Sequence, residues 1–169
     1  MKRAPLVVLA LLTAVPCIAS AFELRLSQPE LNLSVPGVPA AELHEEAGQS
    51  ASAKRSLTGV ASNFAIEVEL LAQTGQVSPR VCAGSLLRVL VAQPGMPNRD
   101  SIYRAPLDEF TFLVIYALGE GQARKLHAHI ISAAGSTHCA NAHFVRPASP
   151  GEDIDEWRTT FTSARVVPR

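Results

Sequence analysis

The sequence has no excess of charge of either sign. Its 169 residues include 15 Lys and Arg and 15 Asp and Glu, and the basic residues do not cluster into a stripe. Binding to nucleic acid or to an anionic membrane surface requires such a positive patch. The even balance therefore argues against both classes of partner.

Charged residues are also scarce, at 18% of the chain, whereas hydrophobic residues make up 47%. A chain of this composition can bury a substantial core, which excludes wholesale disorder, a collagen-like repeat and a coiled coil. The length fits one globular domain.

The chain lacks a recognisable catalytic motif. His44 and Glu45 resemble the start of the zinc-protease sequence H-E-x-x-H, but Gly48 occupies the position of the second histidine. Ser85 and Ser136 each follow a glycine, yet neither has the G-x-S-x-G frame of a serine nucleophile. The motifs therefore do not predict an enzyme.

Long hydrophobic runs are limited to the start of the chain. Lys2 and Arg3 precede an apolar stretch over residues 6–12, and residues 19–21 have the A-x-A pattern of a signal-peptidase site. This stretch is shorter than the roughly 20 residues that a transmembrane helix needs. We predict a signal peptide over residues 1–21, no integral membrane segment after its cleavage, and a periplasmic or secreted location.

Cleavage after Ala21 would leave 169 − 21 = 148 residues and remove two basic charges, so the mature balance is 13 basic against 15 acidic. Cys17 allows an alternative in which the exported chain is lipidated. Pro16 argues against it, because lipoprotein signals place a small residue directly before the cysteine.

Cysteine is rare, with three in the chain. Cys17 lies in the predicted signal peptide, which leaves Cys82 and Cys139 in an oxidising compartment. We expect these two to form a disulfide; two buried free thiols are the alternative. Closing a loop of 139 − 82 = 57 residues stabilises a fold by about 4 kcal/mol in the chain-entropy model.

The region 22–57 is predicted to contain a strand, a short helix and a flexible linker. Residues 22–27 alternate between apolar and polar, as a strand does, and the alternation resumes at Leu31 and Leu33. Pro39 and Gly48 carry helix start and stop signals, and residues 49–53 have the composition of a linker.

Residues 58–169 are predicted to form a single antiparallel β domain. Turn residues separate segments with the composition of strands, and a capping box at Ser149 and Glu152 predicts a short helix after it. Asp153 and Asp155 offer a calcium-site alternative, but they lack the glycine and the distal glutamate of a calcium loop. The predicted strands are residues 63–72, 85–93, 109–118, 123–133, 137–145 and 159–167.

These segments predict a mainly β fold: an antiparallel sheet or β-sandwich of about six or seven strands with one or two short helices. No amphipathic crossover of a dozen residues is recognised between the strongest strands, which argues against a parallel α/β fold.

Histidines form the one unusual cluster. His127 and His129 lie two residues apart on a predicted strand, so both rings point to the same side. Assigning even-numbered positions to the core predicts Thr111 opposite His129, and His143 opposite His127 or His129. Three imidazoles could then form a zinc or copper site with an open position.

The same pairing rule places Leu113 opposite His127. Two surface histidines on one strand also arise without any function, and the outer face carries apolar residues that a second layer or a partner would cover.

The sequence therefore predicts an exported, non-catalytic binding or interaction protein whose partner is an unknown protein or small ligand. The alternative is a periplasmic zinc- or copper-binding protein using His127, His129 and His143. A third hypothesis is an enzyme whose catalytic residues come together only in the fold. The sequence requires no cofactor beyond that possible zinc or copper ion.

Overall fold

The computed structural model describes residues 21–45 and 54–167. Two short 3₁₀ turns, Arg99–Ser101 and Gly121–Ala123, lie between larger elements. The predicted signal peptide, apart from Ala21, and the predicted linker lie outside the described residues. The strands and helices are β1 (Ala21–Ser27), β2 (Glu30–Pro39), β3 (Leu43–Glu45), β4 (Lys54–Ala61), β5 (Phe64–Ala72), α1 (Pro79–Val91), β6 (Tyr103–Pro106), β7 (Thr111–Leu118), β8 (Lys125–Ala134), β9 (His138–Pro147), α2 (Ile154–Phe161) and β10 (Arg165–Val166).

The strands form two antiparallel sheets. A three-stranded sheet has the order β1-β2-β10, and a seven-stranded sheet has the order β3-β4-β5-β9-β8-β7-β6. Every neighbouring pair is antiparallel. The predicted mainly β, antiparallel fold is confirmed. Neither helix of the described chain is long and apolar enough to cross a membrane.

The main core lies between one face of the large sheet and a layer made of the small sheet and α2. Phe22 of β1 meets Phe144 of β9 edge to face, with ring centroids 5.4 Å apart. Trp157 of α2 stacks on Phe64 of β5 at 6.3 Å. Residues from both predicted regions, 22–57 and 58–169, contribute to this core.

A second, smaller core lies on the opposite face of the large sheet, where α1 packs on β7, β8 and β9. A disulfide between Cys82 of α1 and Cys139 of β9 confirms the predicted bridge. The large sheet is therefore covered on both faces. The buried members of the second core are Cys82, Ala83, Leu90, Ile102, Val114, Tyr116, Ile131 and Cys139.

The strand predicted over residues 85–93 is wrong, because this segment belongs to α1. The hydroxyl of Ser78 accepts a hydrogen bond from the Val81 N–H, and Pro79 occupies the first helical turn, so both set the start of a helix. Exposed Val89 and Val91 leave Arg88 as the only charged residue on the outer side of this segment, so the helical stripe is hard to recognise. The residues of α1 that are buried in the second core or packed against it are Cys82, Ala83, Leu86, Leu87 and Leu90.

The helix predicted between Pro39 and Gly48 is also wrong within the described residues. Strand β2 continues to Pro39, and β3 pairs with β4. Gly59 of β4 lies so close to the Glu42 carbonyl oxygen that a Cβ there would approach it to 2.4 Å. Backbone pairing at this edge therefore prevails over the local helix signals.

The short helix predicted near Glu152 is present as α2, but it begins at Ile154. Glu152 accepts a hydrogen bond from the Ser149 N–H at 2.8 Å, which forms half of the capping box in the turn before the helix. Trp157 and Phe161, four residues apart, are buried in the main core. The final strand predicted over residues 159–167 is therefore reduced to β10.

Candidate functional site

The pairing of β7, β8 and β9 brings the three predicted histidines together. His129 lies opposite His143, one of the two predicted pairings. On the other side, Val114 lies opposite His129 and Tyr116 opposite His127, so the pairings predicted for Thr111 and Leu113 are wrong. Both faces of β7 are apolar and buried, because α1 covers the second face. The pattern of β7 alone therefore does not select the register.

The three imidazoles and the Tyr116 ring are nearly parallel and form two stacked pairs on the face of the large sheet that carries α1. The His129 and His143 rings are 4.0 Å apart at 5°, and the Tyr116 and His127 rings are 4.9 Å apart at 8°. We call His127, His129, His143 and Tyr116 the histidine cluster. His127 and His143 are half-buried, whereas His129 is 2% exposed.

Both ring nitrogens of His129 have hydrogen-bond partners. Its Nδ1 lies 2.9 Å from Asn141 Oδ1, which can only accept, so Nδ1 carries the proton. Its Nε2 therefore accepts from the Tyr116 hydroxyl at 3.1 Å. The Asn141 amide in turn donates to Glu69 Oε2 at 3.3 Å. The Nε2 lone pair of His129 is therefore engaged by the Tyr116 hydroxyl in this arrangement.

His127 and His143 are hydrogen-bonded to each other. His127 Nδ1 and His143 Nε2 are 3.1 Å apart, and the ring centroids are 5.3 Å apart. The centroid distance is close to the nitrogen separation plus the distance from each nitrogen to the centre of its own ring. The two nitrogens therefore lie nearly on the line that joins the ring centres. One proton occupies that gap. The other nitrogen of His127, Nε2, is buried without a hydrogen-bond partner in the described structure.

The described residues contain no group of three or more His, Cys, Asp or Glu side chains placed to hold a metal ion. This agrees with the separate roles of the three histidines. His127 and His143 share one proton between two ring nitrogens. The ring of His129 is hydrogen-bonded to Tyr116 and Asn141.

Burial keeps the cluster uncharged at neutral pH. It lowers the pKa of His127 to about 4, with the charge of Lys125 contributing, and it holds the pKa of His129 well below its usual value of 6.5. Burial also lowers the pKa of His143 to about 4, helped by His127 and opposed by the Glu69 carboxylate. Burial raises the pKa of Tyr116 to about 12.

A groove of about 350 Å³ opens beside this cluster, between α1 and strands β5 and β9. Its surface is mainly apolar, and the Cys82–Cys139 disulfide lies in its wall. Glu69 and Asn141, which belong to the hydrogen-bond chain that includes Tyr116 and His129, form a polar wall. The lining residues are Glu69, Leu71, Gln73, Cys82, Ser85, Leu86, Val89, Ile131, Cys139, Ala140 and Asn141.

Sequence reasoning missed this groove because it treated α1 as a strand. The signal that could have found it is the Ser78-Pro79 start followed by apolar residues three and four positions apart. A helix docked by a disulfide on a sheet leaves a cleft along its side, which is a common place for a ligand.

The fold and site define an antiparallel β protein with a disulfide-linked helix and a polar cluster behind an apolar groove. Comparison with protein-family models finds no match, and no curated protein has significant similarity to the chain. Functional inference therefore rests on the residues themselves.

Proposed function

We propose that this chain is an exported, non-catalytic binding protein and that the groove beside α1 holds a small, mainly apolar ligand. The observation that carries the proposal is an apolar groove with a fixed polar wall. Concave apolar sites with a few convergent polar groups are typical of small-molecule binding.

The groove leaves apolar surface available to a ligand. Val89 is 59% exposed, and Leu71 and Leu86 are half-buried. Removing such surface from water contributes about 25 cal/mol for each Å² buried. A ligand with an apolar body of matching size gains binding energy here.

The polar wall is oriented before any ligand arrives. The Asn141 carbonyl accepts from His129 and its amide donates to Glu69, so the side chain is held at both ends. A hydrogen-bonding group on the ligand would meet dipoles that need no reorganisation, which lowers the entropic cost of binding.

The disulfide joins the two sides of the groove, because Cys82 belongs to α1 and Cys139 to β9. Such a tie limits movement of the helix relative to the sheet. It also supports the export proposal, since disulfides persist mainly in oxidising compartments, and it agrees with the signal-peptide pattern in residues 1–21.

The test is a fluorescence titration with the neutral apolar dye N-phenyl-1-naphthylamine, using Val89→Gln and Val81→Gln. Both valines are exposed on α1, at 59% and 47%, but only Val89 lines the groove. We expect wild type and Val81→Gln to bind the dye alike and Val89→Gln to bind at least about threefold more weakly, because its amide introduces a polar group there.

Equal binding by the two variants would contradict the groove as the site. Absence of dye binding to wild type, together with specific capture of one protein, would favour a protein partner instead. Fractionation of the native host tests the location separately, and retention of the chain in the cytoplasm would contradict export.

A further inference from the structure

We infer that His127 and His143 form a binding site for one divalent transition-metal ion, with copper bound more tightly than zinc. The juxtaposition that carries this is two half-buried imidazoles whose Nδ1 and Nε2 atoms face each other at 3.1 Å. The ion takes the place of the proton between them. The site is separate from the groove, so its failure would leave the proposed function intact.

The nitrogen separation suits a chelate. Metal–imidazole bonds are about 2.0–2.1 Å long, so two such bonds at an angle near 100° span about the distance that now separates the nitrogens. The rings need to tilt from their end-to-end arrangement so that both lone pairs point to one position.

Metal binding to this pair does not require a base to remove a proton. Each neutral imidazole carries one N–H. A bound ion needs the lone pairs of His127 Nδ1 and His143 Nε2, so the ring that donates in the present hydrogen bond changes tautomer. No proton is lost overall, and the hydrogen bond between the rings is replaced by two metal–nitrogen bonds.

The surroundings favour one ion with an incomplete protein ligand set. His129 is held by Tyr116 and Asn141 and does not contribute. Glu67 lies opposite His143 on β5 and places a carboxylate on the same face, where it accepts from Ser56 at 3.2 Å. Two imidazoles with water in the remaining positions suit Cu²⁺ better than Zn²⁺, which usually has three or four protein ligands.

The test is calorimetric titration of the tag-free protein with Cu²⁺ and with Zn²⁺. His127→Asn and His143→Gln replace each ring by an amide that can occupy the position of the facing nitrogen, while removing the imidazole ligand. The matched controls are His44→Gln and His138→Gln, whose histidines lie outside the pair. We expect one Cu²⁺ per chain, at least about tenfold weaker binding in each pair variant, and no change in the controls.

Equal copper affinity in wild type and in the pair variants would overturn the inference, as would absence of copper binding to wild type. If a variant of His127 or His143 fails to fold, a second measurement on the wild-type protein still tests the site. Addition of Zn²⁺ should shift the imidazole nitrogen resonances of His127 and His143 in NMR spectra. Shifts at His44 or His138 alone would place the ion elsewhere and contradict the site.

Discussion

His129 Nδ1 donates a hydrogen bond to Asn141 Oδ1 across β8 and β9, and this single contact sets the tautomer of a fully buried imidazole. The assignment extends to Tyr116, whose hydroxyl must then be the donor to His129 Nε2. A buried polar chain of this kind is stabilising only while every member keeps its partner.

Tyr116→Phe removes the hydroxyl and leaves His129 Nε2 as a buried acceptor without a partner. We expect a loss of about 1–3 kcal/mol in the free energy of unfolding. Tyr103→Phe is the matched control, because Tyr103 is a half-buried tyrosine outside the hydrogen-bond chain of Tyr116, His129 and Asn141. It should cost less than about 0.5 kcal/mol. Urea denaturation measures both, and equal losses would show that the network adds nothing.

Stability should fall as the pH is lowered from about 6.5 to about 4. The pKa of His127 and of His143 is about 4 in the folded chain, against about 6.5 when unfolded. The unfolded chain therefore binds more protons in this window, so the free energy of unfolding rises with pH and levels off above about 6.5.

Urea denaturation at pH 4.5, 5.5 and 7 checks this slope. His143→Gln should flatten it, because one of the depressed groups is removed, whereas His44→Gln, at an exposed histidine, should leave it unchanged. A free energy of unfolding that is constant between pH 4.5 and 6.5 would contradict the assigned burial of the cluster.

Removing the disulfide should lower stability by about 4 kcal/mol, since the bridge closes a 57-residue loop in the unfolded chain. The measurement compares wild type with the double variant Cys82→Ala/Cys139→Ala in guanidinium. Wild type in a reducing agent is the control and should approach the variant. Coincident unfolding curves for oxidised and reduced wild type would show that the bridge does not stabilise the fold.

Glu152→Gln should destabilise the turn before α2 by about 3 kcal/mol, because it leaves the Arg146 guanidinium largely buried without its carboxylate. Arg146 also lies over the Trp157 ring at 5.4 Å. Asp155→Asn removes the carboxylate of an exposed ion pair with Arg158 and should cost under about 1 kcal/mol. Thermal unfolding distinguishes them; similar melting temperatures for the two variants would refute the difference.

Exported protein should begin at Phe22, because the A-x-A pattern ends at Ala21. Cleavage there keeps Phe22 in β1, where it is fully buried and lies opposite Val35. Intact-mass analysis of protein from the native host measures the N-terminus. A chain beginning at a lipidated Cys17 would replace the cleavage prediction with the lipoprotein alternative.

Period-two alternation predicted the elements that have one buried face. Phe64, Ile66, Val68 and Leu70 alternate with polar or small residues, and β5 is found there. The bridge between Cys82 and Cys139 also followed from the cysteine count. The strand follows from the local residue pattern, and the disulfide follows because Cys17 lies in the predicted signal peptide. Neither prediction depends on which layer packs against the sheet.

The register of β7 could not be predicted in this way. Leu113 and Ile115 face the main core, while Val114 and Tyr116 face α1, so both sets are buried. The sequence predicts a strand for α1, so it does not identify this helix as the layer that covers the second face. One wrong element thus produced the wrong partners for His127 and His129, although the pairing of His129 with His143 was among those predicted.

The position of β10 has a consequence for the order in which the chain can fold. Arg165 lies opposite Ser34 of β2, which is 165 − 34 = 131 positions earlier. The β1–β2 hairpin is thus the first pair of described strands to leave the ribosome. Its neighbour in the small sheet, β10, is the last described strand to be synthesised. The stretch of β2 that pairs with β10 stays unpaired on that side until almost all of the described chain has been synthesised.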